Sequence, residues 1–254
     1  MRPRPDIRVA TPEPTREMTK LGKEIKLAIE GWWAPPPYFY HLRAGGHVAA
    51  LKAHLGHSMF LRLDVQDFFG SVSRTRVTRC LKKKFGYEKA REWANASTVT
   101  HPSHAKRTML PFGFVQSPIL ASLCLAKSSL GSCLSKVYRN KDLAVSVYVD
   151  DIILSSRRPD VLDEGFLGGL RTAAERARFA FSAEKAQGPS PTIKAFNIEL
   201  CKESVRIDEE RMKAFVEALN KSESQPQRAG IVGYISSVNA DQGKDAAELA
   251  AESP

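Results

Sequence analysis

The sequence predicts an α+β protein, and three features of its pattern carry the prediction. Residues 59–64 alternate between apolar and polar side chains, as in a half-buried strand that ends in a carboxylate. Residues 143–154 form an apolar run with two adjacent aspartates, which is typical of two strands joined by a tight turn. Segments with helical periodicity lie between and after these strands, at 73–85, 117–137 and 161–181.

The composition indicates a folded protein with a polyanionic partner. Of the 254 residues, 43% are hydrophobic and 26% are charged, which supports a sizeable core in one large or two small domains and excludes wholesale disorder. The formal net charge is +10. Such an excess favours nucleic acid as a partner, with an anionic membrane as the lesser option.

Neither a membrane span nor an export signal is expected. The chain has no window of about 18 apolar residues, and its first 14 residues are rich in Pro and Arg without an apolar stretch. The cysteines lack C-x-x-C spacing and have apolar neighbours, so we expect buried thiols in a reducing compartment at Cys80, Cys124, Cys133 and Cys201. We therefore expect a cytoplasmic protein with no membrane partner.

The N-terminal part is expected to be less regular than the centre. Residues 1–16 hold four prolines and are predicted to be a flexible basic arm. Helical spacing follows in residues 17–29 and 47–57, on either side of a connector that contains Trp32, Trp33 and three consecutive prolines.

Residues 73–85 predict a basic amphipathic helix. Ser73 is a suitable N-cap, and Val77, Leu81 and Phe85 share the inward face. The outward face holds Arg74, Arg76, Lys82, Lys83 and Lys84. These cations either contact a phosphate backbone or are simply solvated, and the sequence leaves both open.

The remaining elements follow from cap and turn signals. Ser117 at the N-cap and Pro118 at the first helical position predict a helix start. Further on, residues 193–205 predict a hairpin, and 209–219 and 229–238 predict two closing helices. Residues 241–254 are acidic and rich in Ala, so we expect them to be frayed or disordered.

Three carboxylates are the candidate chemical centre. Asp64 ends one strand, while Asp150 and Asp151 lie at the tip of the predicted hairpin, so they converge if the strands are neighbours. Close carboxylates stay ionised only with cations between them, and hard oxygen ligands suit Mg²⁺. Two such ions would favour nucleotidyl transfer or phosphodiester hydrolysis. Alternatively, the Asp-Asp pair is ordinary turn chemistry.

Five motifs in order resemble those of reverse transcriptases. YVDD at 148–151 is similar to the YxDD motif, and LDVQDFFGSV at 63–72 to the first palm motif, an aspartate followed by paired aromatics. LPFGFVQSP at 110–118 resembles the LPQG…SP motif. FSAEK at 181–185 and KAFNI at 194–198 resemble the late lysine and the hairpin after it.

The resemblance implies a right-hand polymerase whose palm is an antiparallel sheet backed by helices. Its regions would be a basic arm at 1–16, reduced fingers at 17–58, the palm at 59–205, a short helical thumb at 206–240 and an acidic tail at 241–254. The Asp-Phe-Phe phrase and the compact size are similar to the bacterial retron-like, abortive-infection or defence-associated branch, which implies a role in antiviral defence.

The resemblance also implies residue roles. Asp64 and Asp150 would ligate two Mg²⁺ ions, with the Val65 carbonyl as a further ligand and Asp151 supporting the metal and primer end. Lys185 would stabilise the leaving pyrophosphate or act as an acid, unless it is a solvated lysine. The incoming nucleotide would meet Asp67, Phe68, Phe69, Phe112 and Gly113, and the template-primer would meet Tyr148, Arg74, Arg76, Lys82 and Lys83.

One departure from the family pattern affects the expected function. Phe112 stands where the family usually has Gln, and an aromatic ring can stack on a base but cannot form that hydrogen bond. The leading hypothesis is an RNA-directed DNA polymerase that extends a 3′ or protein hydroxyl with deoxynucleoside triphosphates. The alternatives are untemplated or repeat-templated DNA synthesis, and a catalytically silent RNA-binding subunit.

The implied partners follow from this hypothesis. They are an RNA template, which could be a structured non-coding RNA, the DNA product, and a partner protein or a second copy that compensates for small fingers and a short thumb. For the fingers, Arg43 and Lys52 are the available triphosphate-binding cations.

Overall fold

The computed structural model describes residues 13–252, which contain ten α-helices and nine β-strands. The predicted α+β class is confirmed. Most of the predicted basic arm (residues 1–12), together with residues 253–254, lies outside the described residues. The helices are α1 Arg16–Glu30, α2 Gly46–Lys52, α3 Arg74–Phe85, α4 Tyr87–Ala96, α5 Ser117–Ala126, α6 Ser129–Arg139, α7 Glu164–Arg176, α8 Glu209–Lys221, α9 Gln225–Val238 and α10 Ala240–Glu252. The strands are β1 Met59–Asp64, β2 Val99–His101, β3 His104–Met109, β4 Leu143–Tyr148, β5 Asp151–Ser156, β6 Gln187–Ser190, β7 Thr192–Ala195, β8 Ile198–Cys201 and β9 Val205–Ile207.

The chain divides into two compact units. The first unit holds the described residues up to Pro36 together with Val65–Cys133 and Thr172–Ala180. The second unit holds Pro37–Asp64, Leu134–Arg171 and the described residues from Phe181 onward.

The main sheet of the second unit has the strand order β4-β5-β1-β6, and all of its pairings are antiparallel. Strand β1 is one of its two interior strands, and the side chains of Phe60, Leu61 and Leu63 are almost fully buried. The hairpin β4–β5 has a two-residue loop, as the apolar run with its central aspartates predicts. Burial fixes the register between β1 and β5, because a slip by one residue would move the buried apolar side chains of β1 to the other face of the sheet.

A second sheet, β7-β8-β9, packs with the C-terminal helices around one hydrophobic cluster. The cluster joins Ile193 and Leu200 of the sheet to Leu219 of α8 and Ile235 of α9. Ala246 of α10 is also fully buried in it. The expectation of a frayed tail after residue 241 is therefore wrong for the part that is described, which forms a third closing helix. Its small Ala side chains bury little area each, so composition alone did not predict the packing.

The first unit is helical around α3, α4 and α5, with the short hairpin β2–β3 beside them. The side chain of Ser73 accepts the backbone N–H of Arg76, so the predicted cap of α3 is present. The predicted cap at Ser117 is not: Gln116 is the N-cap, and Ser117 is already helical. The predicted 117–137 helix is divided into α5 and α6.

The cysteines are all free thiols, as expected, but only two are fully buried. Cys80 and Cys124 lie in the interior, whereas Cys133 and Cys201 are half-buried. Among residues 13–252, no single helix is long and apolar enough to cross a membrane, and α5 with α6 meets that test only as a bent pair.

Candidate active site

The pairing of β1 with β5 places two of the predicted carboxylates opposite each other. Asp64, the last residue of β1, is the register partner of Asp151, the first residue of β5. Asp150 precedes it in the two-residue loop of the β4–β5 hairpin. Asp64 is only 4% exposed, whereas Asp150 and Asp151 are half-buried. Asp64 and Asp151, which are 87 positions apart in the sequence, are thus neighbours because two strands share a register.

The loop that carries Asp150 has an unusual backbone. Val149 has φ 59°, a left-handed conformation that β-branched residues rarely adopt and that favours Gly at the first position of a two-residue hairpin loop. The Nδ1 atom of His41 accepts the Val149 N–H at 3.0 Å. Burial lowers the pKa of His41 to about 4, so its ring is neutral and able to accept. His41 was not among the predicted site residues, because nothing in the sequence pattern aligns it with the loop.

Lys185 neutralises Asp64. Its Nζ lies 2.9 Å from Oδ2 of Asp64, and the hydrogen bond to that carboxylate raises the pKa of Lys185. The lysine side chain is 59% exposed, while that of Asp64 is 5% exposed. The ammonium group is therefore held at the carboxylate from the solvent side and can leave without unpacking the core.

Asp151 has a different partner, Arg62. The Nε and Nη2 atoms of Arg62 each lie 2.8 Å from Oδ1 of Asp151, and Nη1 donates to the Lys194 carbonyl at 2.9 Å. Arg62 was not among the predicted site residues. Strand alternation places it on the same face as Asp64, two residues away, and a cation on a central strand needs a partner.

Negative charge is in excess at this site. Burial raises the pKa of the Asp150 carboxyl, and the charges of Asp151 and Asp64 raise it further. Burial also raises the pKa of Asp151, against the opposing effect of Arg62. The carboxylates thus destabilise one another, and an added cation would relieve that repulsion.

The donor set fits magnesium, but not as a three-carboxylate cluster. Among the residues that the structure describes, no group of three or more His, Cys, Asp or Glu side chains is arranged to hold a metal ion. Asp64, Asp150 and Asp151 lie close enough for the charges of Asp64 and Asp151 to raise the pKa of Asp150, but the three side chains do not form a ready-made metal cluster. Magnesium can bind through one or two carboxylates and keep its waters, so a cluster of three carboxylates is not needed for it.

Tyr148, a predicted template-primer contact, lies in an aromatic cluster of the second unit. Its ring centroid is 5.3 Å from that of Phe196 and 5.8 Å from that of His47. His47 is in turn bonded to the Tyr234 hydroxyl at 3.0 Å. The cluster fixes the Tyr148 ring beside the loop that holds Asp150, while the ring stays half-buried.

The predicted nucleotide-binding residues belong to the first unit. Phe68 is 3% exposed and packs on Phe179, whereas Phe69 is 8% exposed and packs edge-on against Phe112 with centroids 4.9 Å apart. Phe112 is 57% exposed, and Gly113 beside it has φ 82°. The exposed ring of Phe112 is thus the accessible part of this aromatic group.

Asp67 and Val65 complete the first motif. Asp67 has φ 45°, its carboxylate lies against Gly70 so closely that no Cβ would fit there, and Oδ2 is 3.4 Å from Nε2 of His101. Val65 follows Asp64 in the chain and its side chain is buried. A tight turn after β1 therefore replaces simple strand alternation at these positions.

The basic face predicted for α3 is only partly outward. Arg74 and Arg76 are half-buried. Arg74 donates to Thr98 Oγ1 at 3.2 Å, and Arg76 donates to the carbonyl oxygens of Ser71 and Ala177. The prediction that both are outward-facing cations is wrong, because their guanidinium groups satisfy internal acceptors. Lys82, Lys83 and Lys84 are exposed, as predicted.

The two finger cations are also engaged. Arg43 donates to the Pro37 carbonyl and lies over the Tyr40 ring, and Lys52 donates to the Ser237 carbonyl at 2.7 Å.

The chain matches a known protein family over most of its length. A family profile described as "Reverse transcriptase (RNA-dependent DNA polymerase)" matches residues 5–215. No curated protein is a significant match to the chain. The resemblance read from the five motifs is confirmed at the level of this family, while the bacterial retron-like or defence-associated branch stays a prediction.

Several solved structures match part of the chain. The foamy viral protease-reverse transcriptase with an RNA/DNA hybrid has a TM-score of 0.48 at 15% identity, over 79% of this chain and 25% of that one. Its dRH form with double-stranded DNA has a TM-score of 0.46 at 15% identity, and the match covers 75% of this chain and 29% of that one. Candida albicans telomerase with a telomeric RNA fragment has a TM-score of 0.46 at 9% identity, and the match covers 94% of this chain and 44% of that one. The chain thus spans less than half the length of each.

Proposed function

Because this chain belongs to the reverse transcriptase family, we propose that it is an RNA-directed DNA polymerase, which adds deoxynucleotides to a 3′ or protein hydroxyl. One observation carries the proposal: Asp64 lies opposite Asp151 across β1 and β5, and Asp150 occupies the adjoining loop. This places three carboxylates at one strand end, where burial raises the pKa values of Asp150 and Asp151, and carboxylates grouped in this way support nucleotidyl transfer with metal ions.

Asp64 and Asp150, with the Val65 carbonyl, are the residues that would hold two Mg²⁺ ions. When bound, these ions would stabilise the charge on the attacking and leaving oxygens. Asp151 supports the site from its ion pair with Arg62, which keeps that carboxylate beside Asp64.

Lys185 is proposed to act on the leaving group. Its raised pKa keeps the Nζ ammonium charged at neutral pH. An exposed ammonium on a long side chain can exchange Asp64 for the phosphate oxygens of a leaving pyrophosphate, where it donates hydrogen bonds or a proton at Nζ.

For the nucleotide, we assign the backbone of Asp67 and Phe68 to the triphosphate and Phe69 to the sugar. Phe112 and Gly113 are assigned to the base. Tyr148 and the exposed Lys82 and Lys83 are assigned to the template-primer duplex, and Arg74 and Arg76 support that surface from inside.

The proposed substrates and partners are deoxynucleoside triphosphates, an RNA template that includes structured non-coding RNA, and the DNA product. A partner protein or a second copy would assist in holding the duplex. The proposed setting is bacterial antiviral defence, a branch assignment that rests on the Asp67-Phe68-Phe69 phrase.

The exposure of Phe112 supports a second candidate, untemplated or repeat-templated DNA synthesis. An exposed ring offers stacking to any base without the hydrogen bond that Gln would form. Sequencing the products made on a defined RNA separates the two candidates, because faithful copies support templated synthesis and simple repeats support the second.

The test of polymerase activity is magnesium-dependent primer extension with Asp64→Asn and Asp150→Asn. Both variants should lose far more than tenfold of the incorporation rate while they retain RNA binding. Asp245→Asn is the matched control, since Asp245 is exposed on α10 and has no ion pair among the described residues. Robust extension by the Asp150→Asn protein would refute the assignment, and RNA binding without extension by the unaltered chain would favour a silent binding subunit.

A further inference from the structure

The first unit contains a cavity of about 780 Å³ whose lining is entirely cationic or hydroxylic. It lies between the start of α3, the hairpin β2–β3 and the end of α7, and none of its ten lining residues carries a carboxylate, an amide or an aromatic ring. The cationic members are Arg76, Arg79, Lys106, Arg107, Arg176 and Arg178.

Five of these six cations are exposed to solvent. Only Arg76 is half-buried, where it is fixed by the carbonyl oxygens of Ser71 and Ala177. Within residues 13–252, the ion pairs involve none of the cavity cations. Their charges are therefore not neutralised by an ion pair in that part of the chain.

The cations are close enough to affect one another. Burial is the main reason that the pKa of Arg76 is lowered, and the charges of Arg178 and Arg79 lower it further. Such repulsion destabilises the folded chain slightly and has no structural benefit of its own. It is relieved when an anion occupies the cavity.

Arg178 also has an unfavourable backbone conformation. It follows the end of α7 with φ 55°, a left-handed position that Gly usually fills after a helix. A cation near a helix C-terminus is favourable in itself, which accounts in part for Arg176 and Arg178. It does not account for Lys106 and Arg107 on β3, or for Arg79 in the middle of α3.

The hydroxyl groups match the same ligand chemistry. Ser73 and Thr108 already accept the backbone N–H groups of Arg76 and Arg74, respectively. Ser71 and Thr75 add hydroxyl groups at the positive end of α3. Guanidinium, ammonium and hydroxyl groups together are the usual contacts of phosphate oxygens.

We propose that this cavity binds the phosphate backbone of a single-stranded RNA segment without reading its bases. Six cations exceed the charge of one triphosphate, and the lining has no aromatic or apolar side chain to hold a base, so a strand with several phosphates fits better than a free nucleotide. The choice of RNA rests on the proposed function, and the cavity extends that function by a separate binding site whose other five cations have no assigned role in synthesis.

The experiment measures binding of unstructured oligo(U) and oligo(A) RNA at several salt concentrations. Every protein carries Asp150→Asn so that the result does not depend on synthesis. The cavity variant is Arg79→Gln/Arg107→Gln/Arg178→Gln, whose side chains are exposed and bonded to no other side chain in the described part. The matched control is Lys20→Gln/Lys23→Gln/Arg91→Gln, which removes the same charge from exposed positions of α1 and α4.

The cavity variant should bind both RNAs at least about tenfold more weakly at low salt, and the slope of log affinity against log salt should become shallower by about 2. The control should bind within about twofold of the parent. Equal losses in the two triple variants would show that only net charge matters and would overturn the proposal.

Binding of inorganic triphosphate tests whether the cavity is a site for small polyphosphates instead of RNA. If it binds the parent but not the cavity variant, while RNA binding is the same in both, the cavity is a site for small polyphosphates and the RNA proposal is wrong. Lys106→Gln, a single exposed change, checks the assignment without the triple variant. Primer extension by the Asp150-containing chain is assayed separately, so that failure of the polymerase assignment and failure of this site give different results.

Discussion

His41 and Val149 are joined by a hydrogen bond, 3.0 Å long, in which the imidazole Nδ1 accepts the backbone N–H. Val149 is the residue between Tyr148 and Asp150, and its φ of 59° is unfavourable for a β-branched side chain. The bond therefore stabilises the strained loop that carries the proposed metal ligand. His41 would act on the site through Val149, and we therefore treat it as a positioning residue.

We predict that His41→Phe lowers kcat for nucleotide incorporation at least tenfold and changes KM for the nucleotide little. The ring volume is kept but the acceptor is lost, which leaves the N–H unsatisfied at a cost of about 1–3 kcal/mol. His41→Gln, whose amide oxygen can accept, should recover part of the rate. A melting temperature that falls with no change in kcat would show that His41 is only structural.

Replacing Val149 by Asn should relieve the backbone strain of the loop and stabilise the fold. Val149→Asn is expected to raise the free energy of unfolding by about 1 kcal/mol, because Asn tolerates the left-handed region. Val149→Ala keeps the strain and should give no gain. Urea unfolding of the three proteins measures the difference, and equal midpoints for Asn and Ala would contradict the prediction.

Arg62 is expected to set the pH range of the reaction. The Arg62→Gln variant loses the cation that lowers the pKa of Asp151, so the pKa of that carboxyl rises further. The acid limb of the pH–rate profile should therefore move to higher pH by about one unit. Arg62→Lys, which keeps the charge, should show a smaller shift, and an unchanged profile in Arg62→Gln would mean that ionisation of Asp151 does not limit the rate.

His54 predicts a loss of stability in acid. Its ring nitrogens bond the hydroxyl groups of Ser155 and Ser146, and burial lowers its pKa to about 3. Its pKa is about 6.5 in the unfolded chain, so the unfolded state takes up the proton first, and stability is full above pH 6.5 and falls toward pH 3. Between pH 7 and 5 this group should cost about 2 kcal/mol of unfolding free energy.

His54→Gln removes this titration and should flatten that part of the pH dependence. The comparison is needed because Asp150 and Asp151, whose pKa values are raised, act in the opposite direction as the pH falls. Parallel pH profiles for the two proteins would show that His54 is not the titrating group.

Phe69 is predicted to select the sugar. It is 8% exposed and lies under the Phe112 ring, so a rigid aromatic surface would face the 2′ carbon. Phe69→Ala should retain magnesium-dependent deoxynucleotide incorporation and gain ribonucleotide incorporation by at least about tenfold. Phe68→Ala is the comparison, because Phe68 packs on Phe179 instead. An unchanged preference in Phe69→Ala would assign Phe69 to the core alone.

The sequence by itself determined the elements that carry local signals. The alternation in residues 59–64 predicted β1 to the residue, and the apolar run with Asp150 and Asp151 at its centre predicted the β4–β5 hairpin. Ser73 marked the start of α3 correctly. The order of the motifs around Asp64 and YVDD was enough to recognise the family. These signals lie within a few residues of one another, and local backbone preferences therefore decide them.

Only the tertiary structure decided which charges meet. That Asp151 pairs with Arg62 and Asp64 with Lys185 depends on strand register and on a side chain 121 residues away. The acceptor that His41 offers to Val149, and the inward turn of Arg74 and Arg76, depend on carbonyl and N–H groups that the fold brings together. Ion pairs and buried hydrogen bonds are set by proximity in space, and a one-dimensional pattern contains that proximity only where residues are neighbours in the chain.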